Sequence, residues 1–314
     1  MLSLKFSVKF CLVILVTALI CGTSAPYSAS AATKVLAFAQ DTMANDYRKA
    51  QVFAVRDRVA EHPELAFTYS DAGGQTSLMI HQIEKFIAAE IDILIVGTND
   101  AEAVVPVISK AYLSGIPVII LDRGINSEQY STFINSDNIK IGALGAEYIA
   151  KQLNDKKGTV LLFEGLQKAD VTQLRTKGFL DVISTYKGIK VIKRTGNYLR
   201  KDAILEMEKL IRQGVHIDAI FSQSDSMLSG VRSALYRHNI DPKKMLMIGC
   251  DYTSEARAAI RKGTQTGSVL FPLGGRQAAE VALKIMKGEE VPKHISIPVK
   301  LVTRENVDRV EPVF

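Results

Sequence analysis

From Lys34 onward, short apolar runs rich in β-branched residues alternate with longer segments of helical period, and the rhythm continues for about 240 residues. Such alternation marks βαβ units, in which crossover helices cover both faces of a parallel sheet. The runs predict strands at Val35–Ala39, Leu65–Tyr69, Ile91–Val96, Pro117–Leu121, Ser131–Ile134, Thr159–Phe163, Ile189–Lys193, Ala219–Phe221 and Met245–Ile248. Helices are expected between them at Ser77–Glu90, Asp137–Leu153, Arg175–Tyr186, Lys201–Gln213 and Met227–Arg237. The pattern is too long for one ordinary open sheet, so the fold class is α/β with two lobes. No Pro/Ser-rich tract separates them, and a second lobe must be entered through short crossings. Asn135-Ser136-Asp137-Asn138 has the turn chemistry for the first crossing, with Asp137 as a helix N-cap.

Ahead of the first strand, the apolar run Phe10–Ile20 follows Lys5 and Lys9, the layout of a secretory signal peptide. As a helix it would span only about 16 Å, against a hydrocarbon core of about 30 Å. Ala29-Ser30-Ala31 fits the cleavage pattern, so the mature, exported chain is expected to begin at Ala32; Thr23-Ser24-Ala25 is disfavoured by Pro26. Cys21 lacks the small preceding residue of a lipidation signal, since Ile20 is bulky. Cleavage removes two lysines and no acid, taking the net charge from +6 to +4, and leaves Cys250 as the one thiol. Without a possible internal disulfide, stability must come from the core, for which 47% hydrophobic residues suffice. The basic residues are scattered, which argues against a nucleic-acid partner.

Open α/β sheets bind ligands beyond the carboxyl ends of their strands. There this sequence places Gln40-Asp41, Thr98-Asn99-Asp100, Asp122-Arg123, Glu164, Ser222-Gln223-Ser224-Asp225 and Asp251. Each alone can be a helix cap; their joint placement at one edge points to a ligand site. No phosphate loop, dinucleotide fingerprint, C-x-x-C or G-x-S-x-G is present, and the histidines at 62, 81, 216, 238 and 294 lack metal-ligand spacing. An enzyme, a cofactor and a metal therefore have no named residues. Gly73-Gly74 and Gly274-Gly275 read as turns.

At Gly115-Ile116-Pro117-Val118-Ile119-Ile120-Leu121-Asp122-Arg123, followed by Ser136-Asp137-Asn138, the sequence resembles the periplasmic sugar-binding proteins of the ribose and galactofuranose type. These are also similar to the ligand-binding cores of LacI-type repressors. Arg175 with Gly178-Phe179, Asp225 with Met227 and Gly230, Ile248-Gly249-Cys250-Asp251 and Lys287-Gly288-Glu289 extend the match over essentially the whole mature chain. The resemblance implies a type I periplasmic binding protein: two Rossmann-like lobes with parallel sheets, joined by three crossings around a hinged cleft. Lobe 1 would be 32–136 plus 272–296, and lobe 2 would be 137–271 plus 297–314.

Carried over, Asp122 and Arg123 from lobe 1 and Arg175 and Asp251 from lobe 2 would bind hydroxyls, with Tyr47 and Tyr198 as aromatic walls. Carboxylates accept from adjacent hydroxyls and guanidinium forks donate to ring oxygens, which suits a small sugar or polyol. Three family amides are replaced, by Ala44, by Ser224 before Asp225, and by Phe271. The ligand is therefore expected to differ from ribose in hydroxyl pattern or to be more apolar on one side. Asp46, Gln40, Asn99 and Gln173 could supply compensating contacts. The implied protein is a monomer that delivers its ligand to an ABC permease, or alternatively presents its liganded state to a sensor kinase or chemoreceptor. A repressor core would need a DNA-binding headpiece before the first strand, and only Ala32 and Thr33 stand there in the mature chain.

Overall fold

The structure is a computed structural model that describes residues 33–153 and 157–314. The expected signal peptide and its cleavage site at Ala31 lie outside these residues. Among the described residues, no helix is long and apolar enough to cross a membrane.

Two six-stranded sheets form the two lobes. The first contains β1 (Lys34–Gln40), β2 (Leu65–Asp71), β3 (Ile93–Gly97), β4 (Val118–Leu121), β5 (Thr132–Asn135) and β11 (His294–Ser296), in the order β11-β5-β4-β3-β1-β2. The second contains β6 (Lys157–Glu164), β7 (Gly188–Thr195), β8 (Ala219–Ser222), β9 (Leu246–Asp251), β10 (Gly267–Leu270) and β12 (Lys300–Thr303), in the order β12-β10-β9-β8-β6-β7. All pairs are parallel except β10 with β12.

Strand alternation divides the side chains of each sheet between two apolar layers. Leu36, Phe38, Ile93, Ile95, Ile119 and Leu121 pack under α1 (Asp46–Val59) and α9 (Gly275–Met286). Their neighbours Ala37, Ala39, Leu94, Val96, Val118 and Ile120 face α2 (Thr76–Ala88) and α3 (Val105–Leu113). In the second lobe, Val160, Leu162, Phe221, Ile248 and Cys250 lie against α4 (Asn138–Gln152) and α5 (Asp170–Ile183). Leu161, Phe163, Ile220 and Met247 face α6 (Arg200–Arg212) and α7 (Asp225–Arg237). Burial on both faces explains why the strands read as unbroken apolar runs.

The chain passes between sheets three times: from β5 into α4, from β10 into α9, and from β11 to β12. Asp137 caps α4 at the first passage, accepting from the Lys140 N–H at 2.9 Å. The expected helix starts fall within two residues of those observed, except for one helix. α5 begins at Asp170, not Arg175, because Ala169 takes the extended N-cap conformation and Asp170 supplies the first-turn acid. Arg175 consequently stands in the second turn and projects from the helix body.

Candidate functional site

The strand ends of both sheets meet at a cavity whose walls include Asn45, Tyr47, Arg48, Asp122 and Arg123 from the first lobe. Val171, Arg175, Tyr198, Ser224 and Asp251 come from the second, with Phe271 at a crossing. The free volume inside is about 20 Å³, room for little more than one water.

On the first lobe, the β1–α1 turn ends at Asn45, and the first turn of α1 delivers Tyr47 and Arg48. Asn45 caps α1, accepting from the Arg48 N–H at 3.1 Å, and donates from Nδ2 to the Tyr198 carbonyl of the other lobe at 2.8 Å. Arg48 is 2% exposed. Its Nη2 lies 2.8 Å from Asp122 Oδ2, off the line a hydrogen bond needs, and its Nε lies 3.9 Å from Asp41 Oδ1. Burial works against the Arg48 charge, but Asp122 and Asp41 more than offset it. Arg123 donates from Nη1 to Asp41 Oδ2 at 2.9 Å. Asp122 Oδ1 and Arg123 Nε are buried with no hydrogen-bond partner. Such atoms cost about 1–3 kcal/mol each unless something pairs with them.

On the second lobe, Arg175 is held from behind: its Nε donates to Asn138 Oδ1 and its Nη1 to the Gln223 carbonyl, both at 2.8 Å. Its guanidinium lies 4.5 Å over the Phe271 ring, whose other neighbour is Tyr47, stacked at 5.0 Å and 11°. The Tyr47 hydroxyl donates to the Pro272 carbonyl at 2.7 Å. A first-lobe tyrosine, a crossing phenylalanine and a second-lobe arginine thus form one stack. Burial, and then the nearby Asp225, push the Asp251 carboxyl well above the usual carboxylate range. Hydroxyl donors from a ligand would favour its charged form. Tyr198 bonds through its hydroxyl to Thr172 at 2.7 Å and carries Arg123 at 5.6 Å over its ring.

The remaining sequence-derived candidates fall elsewhere. Asp225 is 2% exposed and faces inward, accepting from Tyr252 N, Ser268 Oγ and Gln265 Nε2 at 2.7, 2.7 and 2.8 Å. It pins the β9 end and does not line the cavity. Gln40 is fully buried, its amide spent on Gln51, the Arg48 carbonyl and the Asp41 N–H. Asp46 is exposed and lines a separate surface pocket, 3.0 Å from Ser226 Oγ and 3.5 Å from Arg200 Nη2 of the other lobe. Gln173 is exposed and bonds to the Gln167 carbonyl. Asn99 lines a second, adjoining cavity instead. The Asn of the resembled family, expected at Ala44, has a counterpart one residue on in Asn45, which reaches the wall. Arg48 was not anticipated, although its place one turn into the helix after an acidic strand end is a readable signal. Among the described residues, no cluster of His, Cys, Asp and Glu could hold a metal ion.

Two parallel-sheet lobes, three crossings and a charged cleft at facing strand ends define a type I periplasmic binding protein fold. A family model described as "Periplasmic binding protein domain" matches residues 36–290, and the chain belongs to that family. Its members are substrate-binding proteins, not enzymes. The ribose import binding protein of Bacillus subtilis is 32% identical over 237 residues, covering 75% of this chain and 76% of that protein. The solved structure of an ABC transporter solute-binding protein from Bacillus halodurans with bound myo-inositol superposes with a TM-score of 0.83 at 27% identity, over 90% of this chain and 98% of that one. The fructose-binding periplasmic domain of a hybrid two-component system gives 0.81 at 25% identity, over 88% and 92%.

Proposed function

We propose that this chain is the periplasmic solute-binding subunit of an ABC importer and that it captures a small sugar or cyclic polyol between its lobes. The observation that carries the reading is the pair of unpartnered buried atoms, Asp122 Oδ1 and Arg123 Nε, in the first-lobe wall of a cavity that both lobes line. An acceptor and a donor side by side match adjacent hydroxyl and ring oxygens, and no single charged group would satisfy both. The lobes are 32–136 with 272–296 and 137–271 with 297–314, hinged at the three crossings. Ligand bridging Asp122 and Arg123 to Arg175 and Asp251 favours the closed clamp by its differential affinity for that state. The permease then reads the closed surface. The named relatives support both the ligand class and the importer role: ribose import for one, and myo-inositol in an ABC solute-binding protein for another.

Likeness to a sensor's periplasmic domain favours a second reading, in which the closed form signals to a kinase. Calorimetric titration of residues 32–314 with ribose, fructose, galactose and myo-inositol tests the common part. Saturable binding lost in Asp122→Ala supports it, and binding unaffected by that change refutes the assigned cleft. Uptake of the bound sugar lost on deleting the chain's gene selects the importer; uptake retained with a lost transcriptional response selects the sensor.

A further inference from the structure

Beside the inner cavity lies an outer one about 270 Å³ in volume, against about 20 Å³ inside. The two share Asn45, Arg48, Arg123 and Tyr198 as a common wall. The outer chamber is amphipathic. Its first-lobe side presents Asp41, Asn99 and the Gly73-Gly74 turn, and its second-lobe side presents Leu166 and Leu199. Asp41 is 2% exposed, and its Oδ1 has no hydrogen-bond partner, with Arg48 Nε 3.9 Å away. Space around Gly73 and Gly74 is open: a Cβ at either would meet nothing within 4 Å.

We infer that the ligand is a substituted sugar or cyclitol, a glycoside, whose polyhydroxyl ring is held at the charged inner site while its second moiety lies in the outer chamber. The inference rests on the sugar-binding reading above and narrows it. Most of the free volume is on the outer side of the common wall; the inner site admits a ring only as the lobes part, and a ring then gripped by Asp122 and Arg123 leaves the chamber unused. An unpaired carboxylate oxygen on one wall and leucines on the other select a moiety with a hydroxyl on one face and carbon on the opposite face. A second sugar ring has that character.

The test is calorimetric titration of the mature chain with matched probes: ribose and methyl ribofuranoside, fructose and sucrose, myo-inositol and galactosyl-myo-inositol. At least one substituted probe is expected to bind about tenfold more tightly than its parent, the effect of burying roughly 55 Å² of apolar surface. Ala44→Trp and Leu166→Trp, which fill the chamber from opposite walls, should each erase that advantage and leave the parent's affinity within about twofold. If the parents bind at least as tightly as the substituted probes, the inference falls and the single-ring reading stands. If no probe binds to chain shown folded by circular dichroism, both fall.

Discussion

Asp122 and Asp251 occupy the same station in the two lobes, each at the carboxyl end of the strand fourth from its sheet's edge, and each with left-handed backbone, φ 72° and 107°. Non-glycine residues held there store strain, and such positions cluster at ligand sites. Both residues line the cavity between the strand ends of the two sheets. Replacing Asp122 by Ala or by Gly removes the same carboxylate, so both variants should lose sugar affinity by roughly 100-fold, the loss of two charge-assisted hydrogen bonds. They should differ in stability: the Gly variant is expected to be more stable than the Ala variant by about 1 kcal/mol in urea unfolding, because only Gly adopts this φ freely. Equal midpoints would show that the backbone at Asp122 is unstrained.

Arg48 links the two acids of the first-lobe wall, Asp122 and Asp41. Removing its charge leaves Asp122 buried without its nearest cation. Arg48→Met is therefore expected to destabilise the fold by about 3 kcal/mol despite its similar apolar bulk. Arg48→Lys keeps the charge but loses the Nη1 bond to Gln51 Oε1 at 3.0 Å, and should cost about 1 kcal/mol. Guanidinium chloride titrations of the three chains check the order; Met at or above Lys in stability would mean that the pair is no asset to the fold.

Arg175 owes its position to two glycines that let α4 and α5 touch. A Cβ on Gly142 would lie 2.0 Å from the Arg175 carbonyl oxygen, and one on Gly178 would lie 2.0 Å from the Ile139 carbonyl oxygen. Backbone meets backbone at both points, so no side-chain adjustment can make room. Gly142→Ala is expected to force the helices apart, cost about 1–3 kcal/mol of stability and displace Arg175. Sugar affinity should fall although residue 142 does not line the cavity. Unchanged affinity together with lowered stability would show that Arg175 does not depend on this contact.

Much of this was legible in the sequence, for identifiable reasons. The central strands could be read because they are buried on both faces. Asp122, Arg123, Arg175 and Asp251 could be named because they follow such strands or match a known family's motif. What escaped was masked by polar residues in buried places. α1 buries Tyr47, Arg48 and Gln51 along with Val52, Val55 and Val59, so its apolar period is interrupted and Arg48 passes for a surface residue. Asp225 failed in the opposite direction: it stands at a strand-to-helix turn like a ligand contact, yet its partners Gln265 and Ser268 lie 40 and 43 residues away. Local sequence does not disclose where such a carboxylate points.

Asp225 also gives the fold a pH dependence of determined sign. Burial raises its pKa to about 6, while hydrogen bonds from Ser268, Gln265 and the Tyr252 N–H pull in the other direction. In the unfolded chain the group titrates near about 3.9. The folded state therefore binds this proton more tightly, and the contribution to stability is most favourable below about pH 4, declines as pH rises to about 6, and is level beyond. The full difference is about 3 kcal/mol. Urea midpoints of wild type and Asp225→Asn at intervals from pH 4 to pH 7 measure it together with its coupling to Asp251, whose own titration the substitution also changes. The stability of wild type relative to the Asn variant should fall across that window, whatever the absolute stability of the variant. Ser268→Ala removes a donor at 2.7 Å and should carry the decline to higher pH. Parallel curves for wild type and the Asn variant would mean that the four donors, Thr253 N–H at 3.3 Å included, fully offset burial, so that Asp225 titrates alike in the folded and unfolded chain.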